Sequence, residues 1–460
     1  MKNRKKLFTV TDLGGGDGGK GGVVHKLCDV LKPHTVIKVG GAQGSHGVRT
    51  ARGESYNFSQ FGCGTFNGVR TFLSQNMVID PNGILNEGTA LKYECGIGNV
   101  FDSLAIDEEA LCITPYHGIA SRLRELARKG NPKGTIGIGV GEAYLDSEVT
   151  PQLAIRARDL ADPKLRDTLE AVRLNKLTEL EEVIDERFWD SDQEAANRQI
   201  NLLRDPGLID WTLNRFSEMR QRVRVVGRDY LSDLLAQDGA IVVESSHGIL
   251  TDRYHGFHPH TTKLRTLPSR THDMLRDAGY AGEVYNLGVT RGYQIRHGAG
   301  PMVTSSPDMV ESLLPGSSKD ENRFQGKVRV GPLDFVALRY AIEVCGGPSA
   351  FDGIAVTWFD QIQKLGSWEV CDRYQGATEP EFFTPTGAIR VRRGDDSTQL
   401  AYQERLGHQL NRCQPIVTVR TIPEEQSGII RLCSEVFVEK LGVSLRMLSL
   451  GPTEKDKVCL

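Results

Sequence analysis

The run Gly14-Gly15-Gly16-Asp17-Gly18-Gly19-Lys20-Gly21-Gly22 places one acid and one cation inside a stretch of glycine. Glycine loses more backbone entropy on folding than any other residue, so so dense a run is costly unless bare backbone is needed. Bare backbone can wrap its N–H groups around phosphate oxygens at the start of a helix. Lys20 then adds positive charge where β and γ phosphates would lie. The run is not a GxxxxGK[ST] loop, because Gly21 follows Lys20 where a metal-binding hydroxyl should stand. Nor does GxGxxG carry weight here, since any glycine run satisfies it. A second glycine turn, Gly40-Gly41-Ala42-Gln43-Gly44-Ser45-His46-Gly47, carries one histidine. A lone histidine is usually structural. Paired with Asp17 at the converging C-termini of adjacent parallel strands, it reads as catalytic.

The elements that must position these loops are legible from apolar runs. Residues 7–12 (LFTVTD) read as a buried strand entering the first glycine loop, and VVHKLCDVL after it has helical spacing. The pattern of an apolar strand breaking into a loop recurs at TVIKVGG (35–41), GTIGIGVG (134–141), AIVVESSHG (240–248) and FDGIAVTWFD (351–360). Such runs separated by helical stretches predict an α/β protein with a large, mostly parallel sheet flanked by helices. From about 161 to 236 the sequence turns charged and helical, which predicts a solvated helical elaboration between strands. No linker or repeat divides the chain, so one domain over 1–460 is expected.

Bulk properties narrow the partners. The chain has 460 residues, 39% hydrophobic and 25% charged, with 56 basic and 59 acidic residues and a net charge of -3. No global field favours nucleic acid or an anionic membrane, and no apolar run is long enough to cross one. The nine cysteines are scattered singly without a CxxC pair, which argues against a disulfide framework or a zinc site. The basic start MKNRKK is followed by no sustained apolar stretch, so a signal peptide is not expected and the cytoplasm is the expected location.

The two glycine loops resemble those of the adenylosuccinate synthetase family, which read roughly GDEGKGK and GGNNAGHT; here they read GDGGKGG and GGAQGSHG. The likeness continues in family order through PYH, GTIGIGVGEAY, AIRARDL, VESSHGILTD, YQIRHGAGPMVT, QGKVRVGPLDFVALRY, VTWFD and LSLGP. It implies the family fold, which is related to P-loop NTPases. It also implies a ligase driven by a nucleoside triphosphate. Asp17 would remove the N1 proton of a 6-oxopurine nucleotide, IMP or a relative, so that O6 attacks the γ-phosphate. His46 would stabilise the developing charge, and Mg2+ would be held by Asp17 and the Gly44 carbonyl. An amino acid amine, aspartate in the family, then displaces phosphate from C6.

The resemblance also distributes the remaining residues. Gly16, Gly19, Lys20, Gly21, Gly44 and Gly451 fall on triphosphate positions, with Asp360 and Trp358 at the base. Asp360 offers two acceptors to guanine N1–H and N2–H, which favours GTP over ATP, while Trp358 replaces a family lysine with a ring that can stack on any purine. Gln43, Thr135, Ile136, His247 and Thr262 fall on acceptor-nucleotide positions. Three of these differ from the family: Gln43 stands for Asn, Ile136 for Thr and His247 for Gln, and each swap alters hydrogen-bond capacity. Lys327, Arg329 and Arg296 are the amino-donor candidates, on a loop one residue shorter than the family's. Lys327 cannot make the bidentate carboxylate grip of an arginine. Family members are homodimers that share arginines across the interface, yet Thr150 and Gln152 stand near the expected place of the contributed arginine.

Alternatives remain open at this level. A (d)GMP acceptor giving 2-aminoadenylosuccinate is one, although that type usually carries Ser or Gly where Asp17 stands. A regulatory subunit that binds nucleotide without catalysis is another. A dehydrogenase is disfavoured, because no acid follows the glycines at the spacing needed to hold a ribose.

Overall fold

The computed structural model describes residues 6–129, 133–185, 188, 190–314 and 324–460. Its centre is an 11-stranded sheet. Reading across it, the strands run Lys457–Cys459, Leu445–Ser449, Gly353–Thr357, Glu283–Arg291, Lys6–Asp12, Ala240–Gly248, Thr35–Gly41, Arg70–Ile79, Leu104–Asp107 and Arg224–Val226, and Leu111–Cys112 also pairs with Arg70–Ile79. All neighbours are parallel except the pair at the Lys457–Cys459 edge.

Side chains on a strand alternate between faces, and both faces of this sheet are covered. On one face Val10 packs with Val23, Val24 and Leu27 of the helix Lys20–Leu31, in a core that continues into Leu169, Val172, Phe216 and Met219. On the other, Leu7, Ile37 and Val243 pack against Leu234 and Met274 from the helices Asp229–Ala236 and Pro268–Asp277. A second large core surrounds the helix Phe335–Val344 and a three-stranded sheet of Leu333–Asp334, Ser367–Gln375 and Gln414–Thr421.

The charged stretch after residue 161 forms helices at Leu165–Glu179, Glu181–Asp185, Asp190–Arg204 and Leu208–Arg222. It then returns to the main sheet as the short edge strand Arg224–Val226, which charge had concealed in the sequence. The strand expected at 134–141 does not form. Gly134, Gly137 and Gly139 have φ of 98°, 79° and 102°, outside the β region, and the segment instead leads into the helix Val140–Val149. Gly139 is required there, since a Cβ would lie 2.5 Å from the His117 carbonyl carbon and the Gly118 nitrogen. Among the described residues, no helix is long and apolar enough to cross a membrane.

Candidate functional site

The first glycine loop is tied to the end of its own strand. Asp12 accepts hydrogen bonds from the Gly14 and Gly18 N–H groups, each at 2.8 Å. Thr357, at the end of a strand two positions across the sheet, donates to the Gly18 carbonyl at 2.6 Å. Gly19 caps the following helix at φ 89° with no side-chain partner, and a Cβ there would stand 2.7 Å from Thr357 Oγ1. Nor could Gly21 carry a side chain, because a Cβ would meet the Gly47 carbonyl oxygen at 2.6 Å. The loop thus brings bare backbone N–H groups to a helix start, the arrangement that binds anions. Lys20 is the first residue of that helix. Its ammonium is buried, donating to Asp12 at 2.9 Å and to the His247 carbonyl at 2.7 Å. The charge expected at the phosphates is here paired with an acid inside the protein.

The second loop delivers His46 into a buried ionic cluster. His46 Nδ1 lies 2.5 Å from Glu244 Oε1, which also accepts from Lys38 Nζ at 3.0 Å. The Cys63 N–H donates to the other carboxylate oxygen at 2.9 Å. Burial alone would raise the Glu244 pKa, yet Lys38 and His46 hold it below its ordinary value. Burial lowers the His46 pKa, against the contrary pull of Glu244. With Nδ1 donating to the carboxylate, the Nε2 edge of the ring is the one left for substrate.

Asp17 and His46 do not stand on adjacent strands, as their spacing had suggested. Ala240–Gly248 lies between their two strands, and it is Glu244 of that strand that orients His46. The partner of Asp17 comes from elsewhere: Oδ2 accepts from His297 Nδ1 at 2.6 Å. Both side chains retain partial exposure, 25% for Asp17 and 18% for His297. The Asp17 backbone is left-handed at φ 59°, and Arg291 Nε donates to its carbonyl at 2.6 Å. Arg291 also lies over the Trp358 ring, 4.5 Å from its centroid. Trp358 is itself left-handed at φ 55° and 39% exposed, so one aromatic face is available next to the segment that holds Asp17. Asp360, in the first turn of the helix that follows, accepts from Gln361 Nε2 at 2.6 Å. Gly451 approaches Asp456 closely enough to exclude a Cβ, which would lie 2.7 Å from that carboxylate carbon.

On the acceptor side, Gln43 Nε2 and His247 Nε2 meet at 2.8 Å. The amide donates, so the ring proton sits on Nδ1. That Nδ1 and Gln43 Oε1 are both buried without a partner among the described residues. Burial, with Lys20 and His46 nearby, pushes the His247 pKa down to about 3, which keeps the ring neutral. A neutral donor and a neutral acceptor therefore stay buried and unsatisfied, a costly arrangement. Thr135 is turned toward protein, with its hydroxyl 3.1 Å from Ser121 Oγ and accepting from Gly137 N. Ile136 is half-buried beside it, and Thr262 accepts from the Leu264 N–H at 3.2 Å. Gly44 closes its turn through an N–H bond to the Gly41 carbonyl.

The donor candidates separate. Arg296 is buried and donates to the Ala299 and His260 carbonyls, and Arg329 donates to the Gly298 and Gly300 carbonyls. Burial, and then the neighbouring Arg329, lowers the Arg296 pKa to about 10. Lys327 is exposed.

Residues outside the sequence-based set also enter the site. Burial and Lys263 push the Lys133 pKa down to about 7, and burial with these two lysines lowers His258 to about 4. Of the missed residues, His297 and Glu244 were open to detection, the first as a histidine in a motif where the family has Val, the second as an acid within an apolar strand. Lys133 carried no such signal.

Comparison with known proteins fits this geometry. A family model for adenylosuccinate synthetase matches residues 10–458. The chain is 28% identical to the adenylosuccinate synthetase of Desulfovibrio desulfuricans over 451 residues, covering 96% of this chain and 97% of that one. It is 24% identical to that of Azotobacter vinelandii over 449 residues, with 97% and 96% covered. Among solved structures, adenylosuccinate synthetase from Plasmodium falciparum superposes with a TM-score of 0.75 at 18% identity, over 100% of both chains. Succinoaminodeoxyadenylate synthetase of cyanophage S-2L, bound to dGMP and to dATP as energy donor, superposes at 0.56 with 15% identity, covering 99% and 95%. The chain belongs to the adenylosuccinate synthetase family of C–N ligases.

Proposed function

We propose that this enzyme uses a nucleoside triphosphate, GTP in preference to ATP, to phosphorylate O6 of a 6-oxopurine nucleoside monophosphate such as IMP. The amine of an amino acid, aspartate as in the family, then replaces the phosphate to give an adenylosuccinate-type product. The observation that carries the reading is the Gln43–His247 pair, whose unpaired acceptor and donor complement the mixed hydrogen-bonding edge of a 6-oxopurine.

In this reading Asp17 takes the N1 proton, so that negative charge develops on O6. His46, its Nδ1 held by Glu244, presents Nε2 to the phosphoryl oxygens. The loop N–H groups and the helix start cradle the phosphates. Trp358 stacks on the purine of the triphosphate while Asp360 reads its edge. Arg296 and Arg329 receive the donor carboxylate, and the cationic neighbourhood of Lys133 and Lys263 attracts the anionic parts of the substrates. Magnesium suits the donor set. Asp17 offers a hard carboxylate oxygen next to Gly16, where a Cβ would find nothing within 4 Å, and the Gly44 carbonyl belongs to the facing turn. When bound, the cation would neutralise phosphate charge and polarise the transferred group. The family resemblance extends the proposal to a cytoplasmic homodimer.

A second reading, with (d)GMP as acceptor, is favoured by the same pair, because His247 gives this pocket a ring nitrogen where the family has an amide. One experiment tests both. The protein is incubated with Mg2+, GTP or ATP, a panel of purine monophosphates and a panel of amino acids, and phosphate release and product mass are followed. A product with IMP and aspartate is expected. A product with dGMP or GMP alone would establish the second reading, and no product with any combination would sink the ligase reading in favour of a nucleotide-binding subunit.

A further inference from the structure

A cleft of about 220 Å³ opens at the C-terminal ends of four adjacent strands, away from the phosphate loop. Strand alternation fixes its side. Thr11, Val39 and Ser245 line it and share a face with Leu7, Ile37 and Val243, whereas Asp12, Lys38 and Glu244, which hold the loop and His46, point to the other face. Arg270 and Thr271 of the helix Pro268–Asp277 line it on that face, Gly40 and Ser246 border it at the strand ends, and no residue of the glycine run, nor Gln43, His46 or His247, lines it. It sits near the switch point where the chain leaves one strand for a helix on one face and the neighbouring strand for a helix on the other, the usual place for a ligand crevice in an open α/β sheet.

Its walls are of two kinds. Leu111, Tyr144 and Leu264 are apolar, with one aromatic ring. Arg156, Arg265 and Arg270 are cationic, and none of the described residues that line the cleft is Asp or Glu. Two of the arginines have acidic neighbours that do not line the cleft: Arg156 lies with Nε 3.6 Å from the Glu109 carboxylate and donates to the Glu109 carbonyl at 2.7 Å, and Arg265 lies 3.9 Å from Asp395. A cavity near 150 Å³ already holds a benzene-sized ring, so this one holds a ring with a charged substituent. Guanidinium forks match the oxygens of phosphates and carboxylates.

We propose that this cleft is a second ligand site, for an organic anion that joins an apolar ring face to a phosphate or carboxylate group. Its occupant lies against the backbone of Gly40, at the start of the turn that carries Gln43 and His46.

The test is titration calorimetry of the full-length protein with three probes, a purine nucleoside monophosphate, inorganic phosphate and succinate, while a non-hydrolysable triphosphate analogue saturates the phosphate loop. Two variants are compared with the parent. Arg265→Gln/Arg270→Gln removes charge, and Ser147→Phe fills the space from the helix Val140–Val149 without touching a charge. The expected result is at least tenfold weaker binding of one probe in both variants, with unchanged triphosphate affinity and unchanged kcat/KM for the acceptor. The probe affected tells phosphate from carboxylate. Binding of every probe within twofold of the parent in either variant, including no binding at all, overturns the proposal. So does a parallel fall in acceptor kcat/KM, which would make the cleft part of the reacting site.

Discussion

His297 Nδ1 donates to Asp17 Oδ2 at 2.6 Å, joining the end of the strand Gln294–His297 to a glycine loop 280 residues away in the chain. The bond fixes one carboxylate oxygen of Asp17. With Arg291 donating to the Asp17 carbonyl, both backbone and side chain are held, which suits the general base of the proposed function. His297 is thus a positioning residue. His297→Ala is expected to lower kcat by about 10- to 100-fold with both nucleotide KM values within threefold, and His297→Asn, which keeps a donor, is expected to recover most of the loss. A parental kcat in the alanine variant, or an asparagine variant as poor as alanine, would remove this role. Asp17→Ala is expected to abolish phosphoryl transfer while leaving triphosphate affinity within about tenfold.

Glu244 accepts from Lys38, His46 and the Cys63 N–H in a buried setting, so removing its charge strands the Lys38 ammonium. Breaking a buried pair by deleting one partner typically costs about 3–5 kcal/mol. Glu244→Gln should therefore lower the denaturant midpoint strongly and reduce activity. Adding Lys38→Met should return most of the stability but not the activity, because His46 still lacks its orienting carboxylate. Recovery of both by the double variant would show that the cluster serves folding alone.

In the proposed function base choice rests on a single carboxylate, that of Asp360. Asp360→Asn replaces one acceptor oxygen by an N–H donor, which should erase the preference for GTP over ATP by about 1–3 kcal/mol, read as the ratio of the two kcat/KM values. Trp358→Ala should instead weaken both triphosphates in parallel, since stacking does not depend on the base. An unchanged ratio in the Asp360 variant would place base recognition elsewhere.

Asp334 caps the helix Phe335–Val344, accepting from the Val336 and Ala337 N–H groups and from the Tyr374 hydroxyl. Burial outweighs these bonds and raises its pKa to about 6 from 3.8. The folded state therefore holds this proton more tightly than the unfolded state. The stabilising contribution is fully present below the unfolded value and is lost as pH rises through about 6. By linkage the difference is on the order of 3 kcal/mol. Asp334→Asn keeps a capping oxygen and should flatten stability between pH 4 and 6, as measured by urea midpoints. An identical pH slope in parent and variant would assign that titration to another group.

Much of the frame follows from local rules that hold wherever the chain lies. Apolar runs ending in glycine mark strands such as Thr35–Gly41 and Ala240–Gly248, and the glycine loop marks a phosphate cradle, because strand alternation and the steric freedom of glycine act within a few residues. The failure at 134–141 has the same root, since three glycines with positive φ override an apolar pattern. What only the tertiary structure decided is who holds whom. Strand order placed Ala240–Gly248 between the two loop strands and so gave His46 to Glu244, while a distant strand supplied His297 to Asp17. Hydrogen bonds and ion pairs form between side chains that the sheet brings within 3 Å or so, and separation along the chain carries no information about that distance.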